Sequence, residues 1–209
     1  MFKDRTDAGR QLADLLRDHD VEADLVLAIP RGGLPVGRAV ADRLDVPLDV
    51  VSARKLGAPW NHELAIGAVA SDGTVWLNDS LLGQFRIRES YVTDQVGRQR
   101  EVAMEKLKRY RGDRPPLDLR GKRAVIVDDG IATGATMTAC ARQVRNADAE
   151  RVVVAAPVAP PDTVERLLGE ADEVICVETP PYFGAVGEFY ESFEQVSDER
   201  AVACLSDRG

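Results

Sequence analysis

The stretch from Ala124 to Met137, Ala-Val-Ile-Val-Asp-Asp-Gly-Ile-Ala-Thr-Gly-Ala-Thr-Met, limits what this chain can fold into more than any other. Ala124 to Val127 is a short unbroken apolar run, the pattern of a strand buried on both faces of a parallel sheet. Asp128 and Asp129 follow where such a strand emerges at its carboxyl edge, and open α/β sheets bind ligands there. A loop of Gly, Ala and Thr comes next, then a helical pattern from Met137 to Val144. Small residues let backbone N–H groups approach an anion, and the helix start behind them adds a favourable dipole. Thr133 and Thr136 add hydroxyl donors. Two carboxylates beside an oxyanion cradle suit a sugar phosphate whose hydroxyls and bound Mg²⁺ face the acids. A hairpin turn at Asp129-Gly130 is the competing reading, but a helical pattern follows where a partner strand should stand.

The same strand–loop–helix logic occurs earlier. Leu25 to Ile29 is sized for a buried strand, Pro30-Arg31-Gly32-Gly33 closes it, and Val36 to Leu44 has helical spacing. Taken alone, Arg-Gly-Gly is an ordinary turn between strand and helix. Leu48 to Ala53 reads as a second strand ending in Arg54-Lys55, a cationic pair placed to neutralise a diphosphate at a sheet edge or to remain solvated. The Walker pattern Gly-x₄-Gly-Lys-Ser/Thr is absent.

The apolar run followed by Asp-Asp-x-x-x-Thr-Gly-x-Thr resembles the 5-phosphoribosyl-1-diphosphate (PRPP) motif of type I phosphoribosyltransferases. That resemblance is strongest over residues 25–56 and 124–158. It implies that Asp128 and Asp129 face the ribose hydroxyls, with Mg²⁺ near them directly or through water. It also implies that Ala132, Thr133, Gly134, Ala135 and Thr136 hold the 5′-phosphate. Arg31, Gly32 and Gly33 become the diphosphate loop, with Lys55 as the foremost cationic contact and Arg54 next. The implied reaction transfers the phosphoribosyl group from PRPP to a nitrogen acceptor, expected to be a nucleobase, and releases pyrophosphate. Members that act on 6-oxopurines usually carry a third Asp before the Thr-Gly pair. Ala132 stands there, closer to the adenine or orotate pattern, and the acceptor is left open. A non-catalytic PRPP sensor is the alternative. PRPP synthesis requires an ATP site and a longer, duplicated chain.

The implied fold is α/β, a doubly wound and mostly parallel sheet flanked by helices, read as one domain over residues 1–209. Further strands are expected at Arg151 to Ala156 and Glu173 to Val177, with helices at Asp7 to Arg17, Asp162 to Leu168 (Asp162 as cap) and Asp198 to Leu205. Leu64 to Ala70 and Thr74 to Leu77 read as a hairpin. The polar segment from Gly57 to Glu63 is expected to act as a lid, with His62 and Glu63 either within it or incidental. Ile87 to Tyr110 is a long, charged helix resting on the sheet or joining subunits. The tail from Glu178 to Phe193 holds five of the chain's nine Phe and Tyr residues. By resemblance it forms a hood over the acceptor, with Tyr182 and Phe183 stacking on a flat base. Aromatic packing is the plainer account of both.

A net charge of −8 argues against nucleic acid as a partner. No apolar run reaches transmembrane length, and the charged start lacks a signal-peptide core. A cytoplasmic protein without a membrane partner is expected, with a homodimer as the family's usual state. Three scattered cysteines and two histidines argue against a zinc or multi-histidine centre.

Overall fold

The computed structural model describes residues 1–206. Five parallel strands make the main sheet: β1 (Leu25–Ala28), β2 (Leu48–Val50), β6 (Arg123–Val127), β7 (Arg151–Val158) and β8 (Glu173–Glu178), in the order β2-β1-β6-β7-β8. Every residue of β1 is buried, as are Ala124 to Val127 of β6, so these runs are apolar on both faces because both faces are covered.

Helices α1 (Arg5–Asp18), α2 (Gly33–Leu44) and α7 (Asp198–Ser206) cover one face, packing Leu12, Leu16, Leu34 and Val40 onto Val26, Ala28, Val125 and Val153. Helix α5 (Ala135–Asn146), with α6 (Pro161–Leu167), covers the other, where Met137, Cys140 and Leu167 meet Leu27, Ile126 and Val154. The expected doubly wound fold is present.

A second, antiparallel sheet of β3 (Ala53–Ala58), β4 (Asn61–Ala70) and β5 (Val75–Leu77) stands on the α5 side. Here the chain departs from the pattern-based reading. The second strand ends at Val50, and Arg54-Lys55 lie inside β3 rather than beyond a parallel strand. The chain passes between sheets at Val51-Ser52, where Val51 N–H donates to Ala28 O and Ser52 O accepts from Ser71 N–H. Only Ser52 marks that crossing, with no Gly or Pro to break the run. The expected lid segment is likewise a hairpin: β3 and β4 pair through Ala58 and Asn61, with register shifts around Gly57.

The long charged helix is α4 (Glu89–Arg111). It lies across the small sheet, with Val92 on Leu56, Ile66 and Val69, after a short unanticipated helix, α3 (Asp79–Gln84). Asp162 is not a cap. Pro160 occupies that position, Pro161 starts the helix, and Asp162 accepts from Arg166 at 3.1 Å.

Register places the functional loops. Ala28 pairs with Val127 in adjacent parallel strands, and Ile29 N–H donates to Val127 O at 2.9 Å. The loop after β1 and the acids after β6 therefore leave the sheet side by side.

Helices α1 and α2 cross at Gly9, where a Cβ would lie 2.7 Å from Val36 O and 2.8 Å from Ala39 Cβ. Replacing Gly9 by Ala is expected to cost about 1–3 kcal/mol through overpacking. Gly97, mid-helix in α4, has nothing within 4 Å of the added carbon, so Gly97→Ala should stabilise by up to about 1 kcal/mol. Urea unfolding of the two variants checks both signs.

Candidate active site

The loop after β1 begins with a cis peptide bond between Pro30 and Arg31, and Gly32 and Gly33 run into α2. A Cβ on Gly32 would fall 2.0 Å from Asp129 Oδ2, and one on Gly33 would fall 2.9 Å from Val127 O and 3.2 Å from Asp128 Oδ1. Only side-chain-free residues allow the loop to lie against the two acids. The Arg31–Gly33 loop and the Asp128-Asp129 pair thus form one rim.

The two acids have different surroundings. Asp128 Oδ1 accepts from the Asp129 backbone N–H at 2.8 Å. Burial, then the neighbouring charge of Asp129, pushes the Asp128 carboxyl well above the ordinary carboxylate range. Asp129 Oδ2 accepts from Arg5 Nε at 2.7 Å, a pair with little solvent exposure on either side. Arg5 is held in turn by Glu194 O, which accepts from Nη1 at 2.7 Å, and by the Phe193 ring, 3.9 Å below Cζ. The two acids are inequivalent: both are half-buried, but Asp129 is ion-paired and Asp128 has no cation partner among the described residues.

Beyond them, residues 130–137 and Asp128 line a cavity of about 130 Å³. Gly134, at φ +73°, turns the chain into α5 without a side-chain cap, so the backbone N–H groups of the first helical turn face this hollow. Helix α6 braces the loop from behind. Thr163 Oγ1 donates to Ala132 O at 2.8 Å, and Arg166 Nη2 donates to Thr133 O at 3.1 Å.

An anion cradle, two acids and a glycine loop thus share one sheet edge. A phosphoribosyl transferase domain model matches residues 3–193. This chain belongs to the phosphoribosyltransferase family. It is 46% identical over 206 residues to a Mycobacterium tuberculosis protein that bears the name phosphoribosyl transferase, covering 98% of this chain but 46% of that protein's length. It is also similar to the crystal structure of TT1426 from Thermus thermophilus, with 45% identity, a TM-score of 0.82, and coverage of 98% of this chain and 97% of that one.

Within this phosphoribosyltransferase frame, the cations are arranged differently from expectation. Lys55 Nζ pairs with Glu63 Oε2 at 2.6 Å on the next strand, and Arg54 Nε reaches Gln99 on α4. Neither is bonded to the glycine loop. Lys106 of α4 is the cation that is, donating from Nζ to Pro30 O. Burial, then the charge of Arg54, lowers the Lys106 ammonium from its ordinary value, and Asp128 opposes that shift. Lys55 shares the strand face of Ala53, opposite Ala68 and turned towards α5, whereas Arg54 faces α4.

The tail packs against the chain start. Phe2 bridges to Tyr190, and Phe2, Phe183, Val186 and Phe189 cluster over Val158. Tyr190 Oη donates to Asp129 O at 2.6 Å. Phe183 is stacked on Phe189, with ring centroids 5.5 Å apart, so one of its faces is already occupied. Tyr182 is 91% exposed.

Arg5, Lys106 and Tyr190 escaped the sequence reading because their partners are 124, 76 and 61 residues away. No local pattern marks such pairs.

An acid held above its ordinary value contributes stability that is complete below the unfolded value, about 3.9, and is lost as pH rises through the folded one. Asp128→Asn removes that loss. Its melting temperature relative to the parent chain should therefore be higher at pH 8 than at pH 4, measured by scanning calorimetry without divalent cations. An equal difference at both pH values contradicts the upward shift of this carboxyl.

Proposed function

We propose that this chain transfers the 5-phosphoribosyl group from PRPP to a nitrogen acceptor and releases pyrophosphate. The single observation that carries this reading is the contact between the Arg31–Gly33 loop and the Asp128-Asp129 pair, with the 132–136 cradle continuing the same rim. A ribose lying on the acids has a cradle at one end for its 5′-phosphate and a glycine loop at the other for its diphosphate.

Each group then has a task. Ala132 to Thr136 offer backbone and hydroxyl donors to the 5′-phosphate. Arg31, Gly32, Gly33 and Lys106 take the diphosphate, Lys106 with N–H donors beyond the one given to Pro30. Arg54, whose charge already acts on Lys106, strengthens the local positive field, and Lys55 adds a cation once it leaves Glu63. As the bond from ribose C1′ to the diphosphate lengthens, positive charge grows on the sugar, and Asp128 and Asp129 favour that charge. Arg5 fixes the Asp129 carboxylate before substrate arrives, so its reorientation costs little at the moment of reaction. The tail, which reaches the rim through Tyr190 and Glu194, excludes water from the sugar, and the 57–63 hairpin closes over it when substrate is bound. Tyr182 offers an exposed ring face to a flat acceptor, and Phe183 one remaining face.

Mg²⁺ fits this site as a partner of the substrate. No group of three or more His, Cys, Asp or Glu among the described residues forms a metal cage, and one oxygen on each acid is already engaged. The remaining oxygens of Asp128 and Asp129 can hold a Mg²⁺ bound chiefly by diphosphate and water, the usual manner for this ion. Its contribution is to neutralise the departing diphosphate.

The test is pyrophosphate release from PRPP and Mg²⁺ over a panel of nucleobases and amines. Release with at least one acceptor supports the reading, and PRPP binding without release under any acceptor supports the sensor instead. In the active pairing, Asp128→Asn with Asp129→Asn should abolish turnover in a folded protein. Lys106→Met should lower kcat/KM for PRPP about 10- to 100-fold, the worth of one charge-assisted hydrogen bond. Undiminished kcat/KM in Lys106→Met removes Lys106 from the diphosphate site.

A further inference from the structure

The largest cavity described lies away from this rim, wedged between α1, α2 and α7, with a volume of about 520 Å³. Ligand pockets fall in the range of about 300–1,000 Å³. Four arginines line it, Arg10, Arg38, Arg43 and Arg200, against two aspartates, Asp14 and Asp42. Each aspartate is already matched: Arg43 pairs with Asp14 at 2.8 Å and Arg38 with Asp42 at 2.5 Å. Two guanidinium groups, those of Arg10 and Arg200, are left over in a chain whose net charge is −8. Neither makes a side-chain hydrogen bond or ion pair among the described residues. Arg38 Nε is buried without a hydrogen-bond partner, an arrangement costly enough that buried donors are normally satisfied.

The remaining wall includes Pro35, Ala39 and Cys204. Guanidinium forks match phosphate oxygens two at a time and stack on flat rings. Unmatched forks beside an apolar wall therefore select a ligand with a phosphate at one end and a flat apolar body at the other. We propose that this cavity is a second binding site, for a nucleoside phosphate, separate from the PRPP site.

The fold gives such a ligand a route to the first site. Each of the three helices that enclose the cavity begins at the rim described above. Arg5, which holds Asp129, opens α1 and directly precedes the cavity residue Thr6. Gly33, beside Asp128, opens α2 two residues before Pro35. Asp198 opens α7 and accepts from Arg31 at 3.4 Å and from Tyr110 Oη at 2.6 Å. Because α1 and α2 touch at Gly9 with backbone-close contact, a ligand that shifts one helix loads the other. Occupancy of the cavity accordingly alters the affinity of the rim for PRPP. This regulatory part rests on the function proposed above, whereas binding in the cavity does not.

Titration calorimetry with ADP as the probe, and inorganic phosphate as its control, tests the proposal on the whole chain. Arg10 and Arg200 are exposed and make no side-chain bond among the described residues, so Arg10→Gln with Arg200→Gln leaves the fold intact. That double variant should bind ADP at least about tenfold more weakly than the parent chain, while Lys106→Met should bind it unchanged. ADP affinity unaffected by the double variant, or lost only in Lys106→Met, assigns the binding to the first site and overturns the proposal. Inorganic phosphate binding as tightly as ADP also overturns it, because the apolar wall then plays no part. For regulation, ADP should shift the KM for PRPP in the parent chain and leave it fixed in the double variant. A KM that ADP never moves overturns the coupling. If the chain releases no pyrophosphate at all, the function proposed above fails, while the calorimetric result still decides the second site.

Discussion

The contact of Gly32 with the Asp129 carboxylate organises the whole functional edge. It exists because Ala28 and Val127 are register partners in neighbouring parallel strands, so a glycine loop and an acid pair are delivered to the same height. Any side chain at Gly32 would occupy the place of the Asp129 oxygen. Arg5 then fixes that oxygen from the opposite side. Its own position is set by a backbone carbonyl of the tail and by the Phe193 ring. One carboxylate thereby ties together β6, the start of α1, the loop after β1 and the tail. The neighbouring acid, half-buried and with its carboxyl pushed above the ordinary range, supplies a second oxygen pair of different character.

The elements behind the rim hold it rigid. Helix α6 fastens the 132–136 loop through Thr163 and Arg166, and Tyr190 fastens the backbone of Asp129. Helix α4 crosses from the small sheet to bring Lys106 onto the carbonyl of Pro30. Rigid supports of this kind place donors before the substrate arrives, which is where electrostatic stabilisation of a developing charge is most effective. The small antiparallel sheet is fastened less closely to the rim, and its Lys55–Glu63 pair is solvent-facing. Exposed pairs contribute little stability, so this cation can be redirected at small cost.

Legibility from the sequence followed the range of the interactions. Residues 25–44 and 124–144 are each a buried strand, a loop of small residues and a helix in immediate succession, and local patterning suffices to read them. The family pattern supplied the expected roles of Asp128, Asp129 and residues 132–136. Arg54 and Lys55 were misplaced because the chain changes sheets at Val51-Ser52 with no Gly or Pro to break the run, which periodicity reads as one strand. Lys106 sits in a helix whose charged face looks solvated, and only tertiary packing turns one of those charges inward. Arg5 and Tyr190 act across more than 60 residues, beyond any motif. At Asp162, a neighbouring proline took the capping position that composition alone assigned to the acid.

The central physical claim is that two anion-holding loops share one rim and grip opposite ends of one molecule. Competition calorimetry tests it most directly. With PRPP and Mg²⁺ bound to the chain, inorganic pyrophosphate and ribose 5-phosphate should each displace PRPP when added alone, because each occupies one of the two loops. Displacement by neither, or PRPP binding that survives both at saturation, would contradict a shared rim.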